Sequence, residues 1–212
     1  MDFAQEHTGS YYAASANETT NYPRLKEDLR VDVCVIGGGF TGVSAALALS
    51  EKSYNVAVLE ANRIGWGASG RNGGQMIHGV SGEHLLEKKF PEKADGLWDM
   101  RWRGHEIIRE RVEKYAIDCD LKHGYLDVAI KPRHLRACEE EAKRFAAHNV
   151  PFEFGMLTRE ETRDALGTDA YIGALKIMGN GHLHPLNLCI GEAKAAESLG
   201  TRIFEQTEAL RI

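Results

Sequence analysis

The chain starts polar and turns sharply apolar at Val31. Residues 31–36, Val-Asp-Val-Cys-Val-Ile, are rich in β-branched side chains and predict a buried strand, with Cys34 in the core. Gly37-x-Gly39-x-x-Gly42 follows immediately, and 43–49, Val-Ser-Ala-Ala-Leu-Ala-Leu, predicts a helix. A second apolar run over 55–59 ends at Glu60 and predicts a second strand. The 30 residues before this block mix Ser, Thr, Asn and aromatic side chains and break at Tyr22-Pro23, so they predict an irregular leader without helix or strand.

Beyond Gln75 the period lengthens to that of helices. Two are expected at about 83–90 and 92–116, the second with an apolar stripe of Leu97, Met100, Ile107, Ile108, Val112 and Tyr115. Trp98 and Trp102, one helical turn apart, are read as core packing rather than as an aromatic cage for a cationic amine. A strand at 124–130 comes next, then a helix opened by Pro132 and running to about His148, and a turn at 149–151. Thr158 with Glu161 three residues on predicts a capping box at the start of a short helix. A helix after Pro185, closed by Gly200, leads to a strand at 201–205, and a further strand-like run approaches Ile212.

The glycine spacing gives the first block its chemistry. Gly37 allows a tight turn, Gly39 lets the backbone approach a pyrophosphate, and Gly42 lets the helix pack closely on the strand. Phe40 and Thr41 open that helix, whose unpaired N–H groups and positive dipole end suit phosphates. Glu60, followed by Ala61, lies at the distance where a carboxylate accepts hydrogen bonds from an adenosine ribose. A carboxylate there repels the 2′-phosphate of NADP, and the pattern leaves NAD and FAD open.

Composition adds exclusions. The 212 residues are 43% hydrophobic and 27% charged, ordinary for a soluble globular chain. A formal net charge of −5 without a basic block argues against nucleic acid or an anionic membrane as partner. No run of apolar residues is long enough to span a bilayer, and Asp2, Gln5, Glu6 and His7 do not form a signal peptide, so a cytoplasmic location is expected. Cys34, Cys119, Cys138 and Cys189 are far apart and are expected to be free thiols.

A second glycine-rich segment separates the two cofactors. Arg63-Ile64-Gly65-Trp66-Gly67-Ala68-Ser69-Gly70-Arg71-Asn72-Gly73-Gly74-Gln75 closely resembles the segment after the second strand in the FAD-dependent D-amino-acid oxidase-type family, where it runs beneath the flavin. Residues 10–17 and Gly124-Tyr125-Leu126 are most similar to the glycine/sarcosine oxidase branch, and the resemblance extends through essentially the whole chain. Small residues and backbone N–H groups over 67–75 suit a chain passing close to a flat ring system, with Arg71 and Asn72 as polar handles.

The resemblance implies an α/β fold: a Rossmann-like FAD/NAD(P)-binding domain of the GR2 type with an inserted α+β substrate domain, incomplete at its C-terminus. The expected division is a leader at 1–30, the first part of the FAD-binding domain at 31–80, the first part of the substrate domain at 81–184, and a return to the FAD-binding domain at 185–212. On this reading the chain is the N-terminal half of a longer enzyme. FAD is the implied cofactor, held by Gly37, Gly39, Phe40, Thr41, Gly42, Glu60, Ala61, Arg63, Gly67, Ala68, Ser69, Arg71, Asn72, Gly73, Gly74 and Gln75.

The implied reaction oxidises the C–N bond of an amine or amino acid, with a γ-glutamylputrescine-like amine favoured. Hydride passes to flavin N5, the imine is hydrolysed, and O2 is reduced to H2O2. Two alternatives stay open: a dehydrogenase with an acceptor other than oxygen, and a non-catalytic dinucleotide-binding fragment. His78, His182 and His184 are candidate bases without a partner visible in sequence. On one strand, His182 and His184 would share a face, but nothing at ligand spacing completes a metal set, and no metal is expected. Ser69 lacks the flanking glycines of a hydrolase nucleophile elbow. Neither catalytic residues nor an oligomeric state is assigned.

Overall fold

The fold is taken from a computed structural model that describes residues 5–211. In chain order its elements are α1 (Tyr11–Ser15), β1 (Val33–Ile36), α2 (Phe40–Ser50), β2 (Val56–Leu59), β3 (Gln75–Met76), α3 (Glu83–Lys89), α4 (Ala94–Lys114), β4 (Lys122–Ala129), α5 (Pro132–Ala147), β5 (Phe154–Leu157), α6 (Arg159–Leu166), β6 (Gly173–His182), α7 (Pro185–Ser198) and β7 (Arg202–Phe204). The described residues divide into two compact units, one of residues 5–75, 106–121 and 183–211, the other of 76–105 and 122–182.

The first unit is built on a parallel sheet of order β1-β2-β7. Val33 lies beside Val56 and Ile36 beside Leu59, while Ala57 lies beside Arg202 and Leu59 beside Phe204. Val43, Ala46 and Leu47 of α2 close over Val56 and Val58 of β2, together with Leu186, Cys189, Ile190 and Ala193 of α7. Most of α7 is buried, Asn187 and Glu192 included, and its exposed polar side chains, Lys194, Glu197 and Ser198, lie toward its C-terminal end.

Four features of this unit depart from the sequence reading. Cys34, expected in the core, is exposed, and so is Ile36. β1 is an edge strand whose Val35 packs into the core while the alternate side chains point to the opposite face. The leader is not wholly irregular: Ser10 accepts a hydrogen bond from the Ala13 N–H and caps α1. The strand-like run toward the C-terminus forms no strand among the described residues after Phe204, because Gln206 takes φ +49° and turns the chain out of extended geometry. Residues 106–121, placed by sequence in the other domain, cluster with this unit through Arg111, Lys114 and Tyr115, which bond Glu192, Ser44 and Glu51.

The second unit carries a sheet of order β3-β6-β4, with β5 also paired to β6. β4 and β5 both run antiparallel to β6, the latter from Phe154 beside Ile177 to Leu157 beside Ala174. α5 packs on this sheet through Phe145 and Cys138, which meet Trp98, Leu175 and Ile177 in a core edged by Trp102, Phe152 and Phe154. The tryptophans are core residues here, as the sequence implied. The capping box is present: Thr158 Oγ1 accepts from the Glu161 N–H, and Glu161 Oε2 accepts from the Thr158 N–H.

Of the stripe expected along α4, Leu97, Ile107, Ile108, Val112 and Tyr115 are half-buried. Met100 is 60% exposed, and the buried positions are Trp98, Arg101, His105 and Arg111. Hydrophobicity alone missed the most buried positions, because they include arginines whose heads are paired: Arg101 with Glu83 and Glu141, Arg111 with Glu192.

Candidate functional site

In the first unit the glycine turn joins β1 to α2 as the spacing predicts. Gly39 is the N-cap of α2 and supplies no side-chain hydrogen bond to its first turn. The first N–H groups of a helix lack carbonyls within it, so Thr41 and Gly42 present donors and the positive dipole end at this turn. Gly42 is required by close approach: a Cβ there would fall on the Gly37 carbonyl oxygen.

Glu60, just past β2, is held in the turn by two backbone donors. Its Oε2 accepts from the Gly38 N–H at 2.6 Å and its Oε1 from the Asn62 N–H at 2.8 Å. A carboxylate has about four acceptor sites, so both oxygens keep capacity for a further hydroxyl donor.

The following loop is tied to the same turn. The Gly65 N–H donates to the Gly38 carbonyl, and the Phe40 N–H donates to Ser69 Oγ at 2.9 Å. Residues Ala68–Gly70 form one 3₁₀ turn, and Gly70 lies so close to the Gly65 carbonyl that a side chain has no room there. The Gly74 N–H donates to Asn72 Oδ1, and the Leu183 N–H donates to the Gly74 carbonyl, which brings the loop to the start of α7.

The side chains expected to reach a ligand bond mainly within the loop. Arg71 Nε donates to the Trp66 and Gly67 carbonyls, with its guanidinium 4.4 Å from the centre of the Trp66 ring. Asn72 Nδ2 donates to the carbonyls of Ala68 and Ser69. Arg63 is paired with Glu6 and Glu205 and also reaches Asn21 Oδ1. Ala68, Arg71, Asn72, Gly73 and Gln75 are exposed, Ala61, Ser69 and Gly67 half-buried, and Gly74 buried.

Sequence reading missed Gly38, Asn62 and Glu205. Gly38 and Asn62 are the backbone partners of Glu60, and a main-chain donor leaves no side-chain signal. Glu205 sits at the end of β7 as an ordinary polar residue in sequence, yet it is fully buried.

His78 and His184 have structural partners. In the second unit, His78 Nδ1 lies 3.1 Å from Asn180 Oδ1 and Nε2 lies 3.0 Å from Glu141 Oε1, with the ring stacked on Trp102. Burial works to raise the Glu141 carboxyl, but hydrogen bonds from His78 and Arg101 outweigh it and hold it below the ordinary carboxylate range. His184 is not in a strand: it caps α7, its Nδ1 accepting from the Asn187 N–H. His182, at the end of β6, is exposed. The shared strand face expected for the two rings is therefore not formed, since the chain leaves the sheet between them. Among the described residues no cluster of three His, Cys, Asp or Glu side chains could hold a metal, and all four cysteines are free.

A parallel β-α-β unit with a glycine turn, a carboxylate at the second strand's end and a second glycine loop folded against that turn defines a dinucleotide-binding unit. The turn fits the group: Gly39 as N-cap offers no side chain to the N–H groups of Thr41 and Gly42, Ser69 takes up only that of Phe40, and a Cβ placed on Gly37 or on Gly67 would meet only open space.

The chain belongs to the DAO family of FAD dependent oxidoreductases, whose model matches residues 32–212. It is 44% identical over 209 residues to the γ-glutamylputrescine oxidoreductase of Escherichia coli K12, covering 98% of this chain and 49% of that protein. It is 33% identical over 205 residues to a probable oxidoreductase, OrdL, of Rhizobium meliloti, covering 96% and 48%. The chain thus spans about half the length of the curated relatives it matches. Two solved structures share the fold. The L-amino acid deaminase from Proteus myxofaciens in complex with anthranilate has a TM-score of 0.72 at 22% identity over 91% of this chain and 41% of that one. The glycine oxidase from Bacillus cereus has a TM-score of 0.64 at 24% identity over 86% and 48%.

Proposed function

We propose that this chain forms the FAD-holding part, and part of the substrate domain, of an oxidoreductase that oxidises the C–N bond of a small amine, γ-glutamylputrescine or a close analogue. The observation that carries the reading is the double attachment of the 63–75 loop to the glycine turn, through Gly65 to Gly38 and through Phe40 to Ser69, beside a Glu60 carboxylate fixed by Gly38 and Asn62. A plain strand-to-helix turn has no use for that second loop. The 44% identity to a γ-glutamylputrescine oxidoreductase supports the substrate class.

In this reading Gly37, Gly39, Phe40, Thr41 and Gly42 take the pyrophosphate at the helix start, and Glu60 with Ala61 takes the adenosine ribose. Gly67–Gln75, with its small residues and backbone N–H groups, would hold the ring system. Bound FAD supplies the two-electron acceptor for a hydride from the carbon next to nitrogen. The imine then takes up water to give a carbonyl compound and an amine. O2 would take the electron pair from the reduced cofactor, giving H2O2. The free thiols fit a reducing compartment and hence a cytoplasmic location.

The test is to purify the chain, record its visible absorption with added FAD, and add γ-glutamylputrescine in an oxygen electrode. A flavin spectrum that bleaches with the amine, with oxygen consumed and H2O2 formed, is the expected result. Bleaching without oxygen uptake replaces the oxidase with a dehydrogenase, and the absence of any flavin binding overturns the reading.

A further inference from the structure

We propose that Glu205 is a positioning residue for the cofactor loop, acting through Arg63 and Ile64 and touching no ligand itself. This rests on the FAD-holding function proposed above.

Glu205 is fully buried, and a buried carboxylate is stable only when donors surround it. Four donors do so, none of them from its own strand. Oε1 accepts from the Ile64 N–H at 2.8 Å and from Thr20 Oγ1; Oε2 accepts from the Tyr22 N–H at 3.0 Å and from Arg63 Nη1 at 2.9 Å. The leader and the start of the 63–75 loop are therefore joined at one charged point at the end of β7.

The neighbouring backbone continues the pattern. The Glu60 N–H donates to the Phe204 carbonyl, Thr207 N–H to the Glu60 carbonyl, and Gln206 N–H to the Asn62 carbonyl. Glu205 extends this alignment beyond Asn62 by fixing Arg63 and Ile64, and the next residue, Gly65, donates to Gly38 in the glycine turn. Among the described residues the other carboxylate paired with Arg63 is Glu6, whose side chain is 68% exposed; an exposed pair contributes little by itself. Arg63, read from the sequence as a cofactor contact, thereby becomes the second positioning residue.

Glutamine at 205 is nearly isosteric but turns one acceptor oxygen into a donor. That amide would face N–H groups on whichever side it lay, so a neutral replacement breaks the join without opening a cavity. The consequence falls on the 63–75 loop, which would hold the ring system, while the glycine turn and Glu60 keep their own hydrogen bonds.

The experiment measures dissociation constants for FAD and for ADP with the wild-type chain, Glu205→Gln and Glu205→Asp, together with the visible spectrum of bound flavin and the thermal midpoint. Glu205→Gln is expected to weaken FAD roughly tenfold or more while moving ADP by less than about twofold, a difference set by the loop and not by the phosphate turn. The bound flavin band should lose its resolved shoulders, and Glu205→Asp, which keeps the charge, should recover part of both effects. If Glu205→Gln yields no folded protein, Arg63→Gln carries the same test, since it removes one donor and leaves the others on Glu205. Equal weakening of FAD and ADP, or none, overturns the proposal while leaving the FAD reading in place. A wild-type chain that binds neither ligand overturns that reading, and the inference with it.

Discussion

Arg111 of α4 and Glu192 of α7 form a buried ion pair, Nη1 to Oε1 at 2.6 Å, with the two residues only 8% and 3% exposed. Arg111 also donates to Ser44 Oγ and to the Ser44 carbonyl, so one guanidinium ties three helices of the first unit together. Burial pushes the Glu192 carboxyl above the ordinary range and Arg111 pulls it back. Arg111→Met, which leaves Glu192 buried without its partner, should destabilise the chain by about 3–5 kcal/mol, whereas a paired Arg111→Met and Glu192→Leu change should cost much less. Urea unfolding of the three variants checks this, and a loss under about 1 kcal/mol for the single change would show that the pair holds nothing.

Gly42→Ala and Gly70→Ala should each abolish the cofactor site rather than weaken it. In both, the new Cβ would land on a backbone carbonyl oxygen, that of Gly37 or of Gly65, and backbone cannot move aside as a flexible side chain can. Gly67→Ala, whose Cβ meets nothing within 4 Å, is the control for the fold. Soluble yield, circular dichroism and FAD absorbance compare the three, and a folded, yellow Gly42→Ala protein would refute the packing argument.

Glu60→Gln should fold normally and bind FAD about tenfold more weakly, since one charge-assisted acceptor at Gly38 or Asn62 becomes a donor facing a donor. Fluorescence titration with FAD reads the change. An unaltered affinity would remove Glu60 from the cofactor site.

The second unit should become acid-sensitive through Glu141. Its folded carboxyl lies below the ordinary value of 4.5, so its contribution is complete above that value and is lost as pH falls through the lower folded one. The groups facing it are His78 from the segment after β3, Arg101 from α4 and Arg144 on its own helix. Urea midpoints from about pH 6 to about pH 3 should fall more steeply for the wild type than for Glu141→Gln. Equal slopes would place the acid sensitivity elsewhere.

Local signals were readable where the physics is local. The glycine spacing, the apolar run before it and Glu60 depend on a few adjacent residues, and they sit in the structure at a strand, a turn and a strand end. The same is true of Thr158 and Glu161, whose reciprocal bonds span three residues. β6 was not readable as a ten-residue strand, because Gly179, Asn180 and Gly181 disfavour strands and its buried positions do not alternate. It exists because β4 and β5 pair with its two edges.

By itself the sequence determined the cofactor class, since glycine positions and a carboxylate at fixed spacing restrict backbone geometry and charge without reference to distant residues. Only the tertiary structure decided what the polar side chains do. Arg71 and Asn72, expected as polar handles, donate to carbonyls of their own loop, and Arg63, also expected at the cofactor, is bonded to a carboxylate 142 residues away. Charge and hydrogen-bonding capacity are written in the sequence, whereas the choice of partner depends on which segments the fold brings within 3 Å, and for Glu205 that required the leader, the loop and β7 to meet.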